Sequence, residues 1–429
     1  MRQDIEERID QIRRGQLPSG YQMNKDIGLA PSDWTVGKIS DVLHNVQRPV
    51  EKPSDPYWRL GLRSHAKGTF HELVKNPDEI DMDELYKVRK NDLVVNITFA
   101  WEHAIALAGV DDDGLLVSHR FPTYVFDNDN SPQYFKAMVT QRFFKEMLGN
   151  ISPGGAGRNR VMSKSAFLKL PCYIPAVKEQ KRIVTVLTNC DKVVSLKMQL
   201  IEEKRRQKKW LVQKLLDPNS GVRLPGFENS EWCSKILSEM CSYISDGDWV
   251  ESKDQSSKGI RLIQTGNIGV GTFLAKSAHA KYVSDDTFVR LNCSEVFLGD
   301  ILLSRLPDPI GRACMIPKMN SRAITAVDCT IARFYKYSEA MLFLQYSCCD
   351  DYFQRVSSLS GGSTRTRISR KELEKLNVFL PKDVNEQTAI VKILSTADRE
   401  IDLLEQDLSM WQNKKKALIQ LLLTGIVRV

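Results

Sequence analysis

Two glycine–arginine clusters are the residues of this chain best suited to chemistry. The first reads Gly154-Gly155-Ala156-Gly157-Arg158-Asn159-Arg160 and the second Gly361-Gly362-Ser363-Thr364-Arg365-Thr366-Arg367, 207 residues apart (361 − 154). Glycines let a loop approach a phosphate backbone closely. A guanidinium is a planar fork that can clamp a phosphate or pair with a guanine edge through two hydrogen bonds. Anion or base recognition is therefore expected of Arg158, Arg160, Thr364, Arg365 and Arg367. The plainer alternative is a turn with two surface arginines, and the recurrence of the cluster argues against it. A second loop, Ser304-Arg305-Leu306-Pro307-Asp308-Pro309-Ile310-Gly311-Arg312, is stiffened by prolines and a glycine and adds Arg305 and Arg312. Its counterpart, Asn96-Ile97-Thr98-Phe99-Ala100-Trp101-Glu102-His103, carries no arginine. Framework positions match while loop-tip positions differ, as expected if two domains read different short sequences. Drift of loops would give the same pattern.

No catalytic constellation accompanies these loops. The chain has no G-x-x-x-x-G-K-[ST], no G-x-G-x-x-G opening a helix after a strand, no G-x-S-x-G and no H-E-x-x-H. Asp55-Pro56-Tyr57 lacks the second proline of an amino-methyltransferase loop, and no glycine-rich cofactor loop precedes it. The six histidines, His44, His65, His71, His103, His119 and His279, show no ligand spacing. Nine cysteines form no C-x-x-C pair and are read as reduced thiols of a cytoplasmic protein.

The elements that must position the loops are themselves repeated. Glu179-Gln180…Ile183…Leu187…Asp191…Leu196 is matched by Glu386-Gln387…Ile390…Leu394…Asp398…Leu403, every pair offset by 207 (387 − 180). The match continues to Leu215-Leu216 and Leu422-Leu423 without a gap. Apolar residues fall in steps of three and four. They run Ile183, Leu187, Cys190, Val194, Met198, Ile201, Leu211 and Leu215 in the first stretch, and Ile390, Leu394, Ala397, Ile401, Leu408, Trp411, Leu418 and Leu422 in the second. That is the seam of a coiled coil. About 39 helical residues make a rod of roughly 58 Å. Two such helices in one chain are expected to pair antiparallel. The basic run Lys204-Arg205-Arg206-Gln207-Lys208-Lys209 and its counterpart Lys414-Lys415-Lys416 are expected to be solvated near helix ends, with phosphate or acidic-partner contact as the sharper alternative.

Ahead of each helix lies a domain of short strand-like runs and turns. Leu93 to Ile97, Ile260 to Ile263, Ile301 to Ser304 and Thr330 to Tyr335 read as strands, and Phe143 to Leu148 and Ala340 to Tyr346 as helix. The fold class is α+β: two similar mixed domains joined and separated by two long antiparallel coiled-coil helices in a duplicated, pseudo-two-fold chain. The expected divisions are an N-terminal helical segment at 1–20, domains at 21–175 and 227–381, and helices at 176–226 and 382–429. Ile5, Ile9 and Ile12 space as a short helix, and Gln16-Leu17-Pro18 echoes Arg223-Leu224-Pro225 after the first long helix. Residues before Pro18 are thus expected to pack near the C-terminal helix.

With 429 residues the chain is long enough for two or three domains, and no apolar run reaches the roughly 20 residues that span a bilayer. The charged N-terminus is no secretory signal. A net charge of +8 is compatible with nucleic acid but does not by itself imply it.

Taken with Gly361-Gly362-Ser363-Thr364-Arg365, Pro381…Glu386-Gln387…Ile390…Leu394…Asp398 and Leu421-Leu422-Leu423-Thr424-Gly425, and their first-half equivalents, the chain resembles the specificity subunit of type I restriction–modification systems over essentially its whole length. The first cluster departs from the pattern, reading Gly-Gly-Ala-Gly-Arg without the Ser-Thr. The resemblance implies a non-catalytic subunit whose two target-recognition domains each read one half of a split double-stranded DNA target. It implies helices that set the gap and dock two methyltransferase subunits, through faces carrying Gln180, Ile183, Leu187, Gln387, Ile390 and Leu394. It implies no cofactor on this chain: S-adenosylmethionine, ATP and magnesium belong to partner subunits. Restriction subunits are a further partner it allows; a membrane is not. The alternatives from other classes are a self-sufficient methyltransferase or nuclease, and a coiled-coil scaffold that binds no DNA.

Overall fold

The computed structural model describes residues 3–127, 129–155, 160–361 and 366–429. Arg158, Thr364 and Arg365 therefore lie outside the described residues. The chain divides into two compact units, Met1–Leu196 with Leu408–Val429, and Lys197–Asp407.

The first unit is built on a four-stranded antiparallel sheet in the order Ile105–Leu107, Leu93–Val95, Thr123–Phe126, Leu43–Val46. The run Leu93-Val94-Val95 is buried throughout because both sheet faces are covered. Leu93 and Val95 join a helical core with Tyr134, Phe144 and Phe167, while Val94 points the other way, into a core with Leu60, Leu62 and Val88. Alternation along a strand makes this assignment automatic. The second face is covered by a five-stranded sheet in the order Pro49–Glu51, Glu84–Lys87, Leu116–Val117, Tyr57–Leu62, Thr69–Val74.

The second unit repeats the plan. Its four-stranded sheet runs Cys241–Asp246, Cys329–Phe334, Ile301–Ser304, Ala313–Met315. Ile301 and Leu303 face the helical core and Leu302 the opposite one. Its five-stranded sheet runs Gln255–Ser256, Lys281–Val283, Ile260–Ile263, Ala323–Thr325, Glu295–Val296. Each five-stranded sheet has one parallel pair at its centre, Leu116–Val117 on Tyr57–Leu62 and Ala323–Thr325 on Ile260–Ile263. The fifth strand is added at opposite edges in the two units, so the halves share a four-strand frame and differ in what completes it.

A buried acid enters the central strand of each unit. Asp92 accepts from Arg48 (2.6 and 3.1 Å) and Asp300 from Arg333 (2.8 and 2.8 Å). Both carboxylates are 2 % exposed, so the arginine is what makes their burial tolerable.

The long helices span Val177–Leu215 and Val384–Leu423. Gln180, Ile183 and Leu187 are buried in the first unit, and Gln387, Ile390 and Leu394 in the second. Ile183 and Leu187 sit in the core with Tyr134; Ile390 and Leu394 sit with Phe343 and Tyr352. Gln180 donates to Pro175 O and Asn130 Oδ1 and accepts from Ser131 N; Gln387 donates to Pro381 O and accepts from Ser338 Oγ. These six residues were expected on a partner-docking face. They instead weld each helix to the domain that precedes it, because the apolar stripe of the first turns is covered by that domain's own core.

Beyond these joints the helices pair antiparallel. In the first unit Glu179 meets Arg428 and Asp191 meets Lys415. In the second, Lys197 meets Asp407, Lys204 meets Glu400 and Lys208 meets Asp398. The seam of the first helix is Leu187, Cys190, Val194, Lys197, Ile201, Lys204, Lys208, Leu211 and Leu215, all buried or half-buried in strict three–four alternation. Met198, expected in that seam, is 51 % exposed, and Lys197 takes the position. A lysine stem covers apolar surface while its ammonium reaches an acid on the facing helix. Lys204 and Lys208 of the basic run are thus taken into the seam, whereas Arg205, Arg206 and Lys209 are 54%, 74% and 60% exposed at the side chain and stay solvated, in surface pairs. Arg205 pairs with Glu405 and Glu202, Arg206 with Glu203, and Lys209 with Asp350.

The N-terminal helix, Gln3–Arg13, returns to the C-terminal tail as expected. Arg8 donates to Ile426 O (2.9 Å) and Tyr21 Oη donates to Gly425 O (2.7 Å). Gly425 has φ +64°, and a Cβ there would stand 2.3 Å from Pro31 Cγ, so the tail passes this point only as glycine.

Candidate nucleic-acid interface

Five loops of the second unit meet at one end of its sheets. Strand Cys241–Asp246 runs into Gly247 and Asp248, which bond to Cys329 O and Thr325 O. The loop 304–312 bonds through Arg305 N to Asp328 O, and Ile368, just after the second arginine cluster, donates to Arg305 O. Gly271 N donates to Ala313 O, joining the loop that follows Ile260–Ile263.

Two arginines hold this assembly. Arg312 is 9 % exposed, and its guanidinium donates to Ile268 O (2.7 Å), Leu306 O (2.9 Å), Pro309 O (3.1 Å) and Thr265 O (2.9 Å). Arg305 is 5 % exposed and reaches Asp246 Oδ2 at 3.3 Å, while Thr330 Oγ1 donates to the other Asp246 oxygen. Burial lowers both arginine pKa values from the usual value, and Asp246 opposes this for Arg305. Direct DNA contact, to phosphate or base, was expected of this pair. Both are instead turned inward: Arg312 satisfies four loop carbonyls, which a fork with five N–H groups can do at once, and Arg305 is buried against the Asp246 carboxylate. Arg367 behaves differently: it is 46 % exposed at the side chain and holds Asp328 Oδ1 at 2.8 Å.

The first unit carries the same assembly with other side chains. Asn96 N bonds to Ala104 O as Ser304 N bonds to Arg312 O; Ile97 N bonds to Arg120 O as Arg305 N bonds to Asp328 O. Met162 N donates to Ile97 O as Ile368 N does to Arg305 O. The loop partner here is 63–68, tied by His65 N to Glu102 O and Ala66 N to His103 O. No arginine is buried in this loop. His103 takes a left-handed conformation (φ +70°), as Gly311 does in the second unit (φ +78°), and its Nε2 bonds to Val139 O at 2.7 Å. Burial lowers the pKa of His103. Arg160, of the first cluster, lies 5.3 Å over the Trp101 ring and donates to Ser152 O and Gly149 O.

Sequence reasoning missed Asp246, Asp328 and Trp101, the side chains that aim the arginines, and the contribution of the loops after Leu62 and Ile263. A signal for those loops was present: Arg59-Leu60 and Gly68-Thr69-Phe70 recur as Arg261-Leu262 and Gly271-Thr272-Phe273. Among the described residues no group of three or more His, Cys, Asp or Glu side chains is placed to hold a metal ion, and no helix is long and apolar enough to cross a membrane. The arrangement presents exposed loop tips and a partly exposed arginine over loops tied together by backbone hydrogen bonds.

Comparison with known proteins agrees with this duplication. Residues 31–204 and 229–409 each match the model of the type I restriction modification DNA specificity domain. The putative type I restriction enzyme MjaX specificity subunit of Methanocaldococcus jannaschii is 23% identical over 438 residues, covering 94% of this chain and 96% of that one. The MjaVIII specificity subunit of the same organism is 25% identical over 280 residues, 62% of this chain and 64% of its own. Among solved structures, a chain described in connection with complex assembly and conformational transition of the type I R-M system superimposes with a TM-score of 0.62 at 16% identity, over 93% of this chain and 99% of that one. The HsdS subunit from Thermoanaerobacter tengcongensis gives 0.52 at 16% identity, over 93% and 98%. At that identity the structures speak to the fold alone.

Proposed function

The chain belongs to the family of type I restriction–modification DNA specificity subunits, whose domain it carries twice, and from this we propose that each copy reads one half of a split double-stranded DNA target. The observation that carries the reading is the pair of equivalent loop assemblies with unlike tips, each on its own copy of one frame. The recognition domains are 21–175 and 227–381; the segments 1–20, 176–226 and 382–429 are the helical framework. Of the described cluster arginines, Arg367 and Arg160 are the ones we infer to meet DNA, with Arg158, Thr364 and Arg365 expected beside them. Arg305 and Arg312 act by holding the loops.

The chain itself is non-catalytic in this reading. S-adenosylmethionine, ATP and magnesium are used by methyltransferase and, where present, restriction subunits of a cytoplasmic complex. The docking points are Leu196 and Leu403, repeat equivalents (403 − 196 = 207) that are 54% and 55% exposed. Two equivalent exposed positions, one in each copy of the repeat, suit two copies of one partner. Leu196→Asp and Leu403→Asp are each expected to remove one methyltransferase copy, read as the mass of the purified complex. An unchanged mass for both would refute the assignment.

The experiment that tests the function is co-purification with the methyltransferase encoded nearest to this gene, followed by methylation sequencing of DNA exposed to the complex. Two short methylated halves around a fixed gap are expected. Modification by this chain alone would instead make it a self-sufficient enzyme.

A further inference from the structure

The loop 304–312 is built to present one side chain. Arg305 and Leu306 on one side, and Ile310 to Ala313 on the other, are buried, whereas Pro307 and Asp308 are exposed. The Arg312 guanidinium bonds to the carbonyls of Leu306 and Pro309, which flank the tip, so the tip is fixed from beneath. Prolines on both sides limit the backbone further. Among the described residues Asp308 has no hydrogen-bond or ion-pair partner; the buried Arg312 feels its charge only at a distance.

Beside the tip lies an open groove of about 610 Å³ lined by Asp308, Pro309, Ile310, Phe353, Gln354, Ser357 and Ser358. One wall is apolar; the rest offers a carboxylate, an amide and two hydroxyls. The first unit has the same loop in the same register, since Ile105 pairs with Val95 as Ala313 pairs with Leu303. There the tip reads Phe99-Ala100-Trp101, with Phe99 38% exposed and no acid.

A rigidly held, unpaired carboxylate is an expensive thing to bring to a polyanion, because phosphates repel it. It is favourable only where it meets hydrogen-bond donors. In the major groove the donors are the exocyclic amines of cytosine and adenine. Guanine and thymine present carbonyl acceptors there, and adenine sets its N7 acceptor beside its amine. Cytosine is the base that offers a donor without an adjacent acceptor. We propose that Asp308, at the mouth of the groove it forms with Gln354, Ser357 and Ser358, accepts a hydrogen bond from the N4 amine of a cytosine and so fixes one base of the half-site read by the second domain. This rests on the specificity-subunit reading above.

The test is methylation sequencing of a duplex library randomised in both halves, using the complete complex with wild-type chain, Asp308→Asn and Gln354→Ala. Asn is isosteric but has both a donor and an acceptor. Asp308→Asn is expected to lose cytosine preference at one position of one half-site, on the order of 10-fold or more. The other half-site keeps its sequence, and non-specific binding at low salt is equal or tighter because a negative charge has been removed. Gln354→Ala, which leaves the carboxylate in place, is expected to keep that cytosine. An unchanged motif with Asp308→Asn, while wild type still methylates a split target, overturns the role of Asp308 and leaves the function standing. A wild-type complex that selects no sequence overturns both.

Discussion

The junction around Arg428 ties the last residues of the chain to the start of the first long helix. Arg428 donates to Glu179 at 2.5 and 2.9 Å and to Asp33 at 3.0 and 2.8 Å, and Trp34 Nε1 donates to the same Glu179 at 3.0 Å. The second unit makes this junction from within, where Arg223 bonds to Glu386 and lies 5.1 Å over Trp232. Replacing Arg428 with Ala leaves Glu179, 9% exposed, with the indole as its remaining side-chain donor. Breaking a buried pair costs about 3–5 kcal/mol. The Arg428 side chain is 39% exposed and that of Asp33 65%, so solvent screening reduces the figure to about 2–3 kcal/mol. For a unit of this size that lowers the melting transition by about 4–12 °C, measured by differential scanning calorimetry. Glu179→Gln in the Arg428→Ala background should recover part of the loss, because the uncompensated charge is then gone. Arg428 also holds the Asp33 carboxyl below its usual pKa. A depressed acid contributes stability above its unfolded value, near 3.8, and loses it as pH falls through the lower folded value. The penalty of Arg428→Ala should therefore shrink below about pH 4. A substitution that moves the transition by less than a degree at pH 7 would refute this account.

Three further outcomes are expected. Asp300→Ala strands Arg333 and unties Phe297 N at the head of the central strand, and should cost about 2–4 kcal/mol, read in the urea midpoint of the second unit. Arg312→Lys cannot serve four carbonyls; it should degrade selectivity for one half-site while the other is unaffected, measured by competition binding with half-site variants. Burial pushes the thiols of Cys314 and Cys329 up to about 12 and about 11, so at pH 8 neither should be alkylated by iodoacetamide until the chain unfolds, as mass spectrometry of the labelled protein would show.

Much of this protein was legible before any coordinates. The 207-residue offset announced two copies of one plan, and the structure has them, down to the hydrogen bonds of the 96–104 and 304–312 loops. Ile260–Ile263 and Ile301–Ser304 are the strands expected, since continuous apolar runs bounded by turns belong in sheets covered on both faces. The long helices followed from periodicity, because a three–four repeat is a local property of the sequence.

What the sequence could not carry was which partner each residue meets. Gln180, Ile183 and Leu187 have the right types for a docking face, but docking and burial use the same apolar side chains, and only the packed domain distinguishes them. Arg305 and Arg312 look from sequence like any loop arginines. Their guanidiniums turn inward because Thr265, Ile268 and Asp246, far away in the chain, arrive beneath them. Lys197, Lys204 and Lys208 entered the seam of the coiled coil because acids wait on the facing helix. The repeat is legible by comparing the chain with itself at a fixed offset, and the helices and strands follow from residues within a few positions of one another. Tertiary structure decided which residues are exposed to a partner, because burial and charge pairing are settled by atoms that only folding brings together.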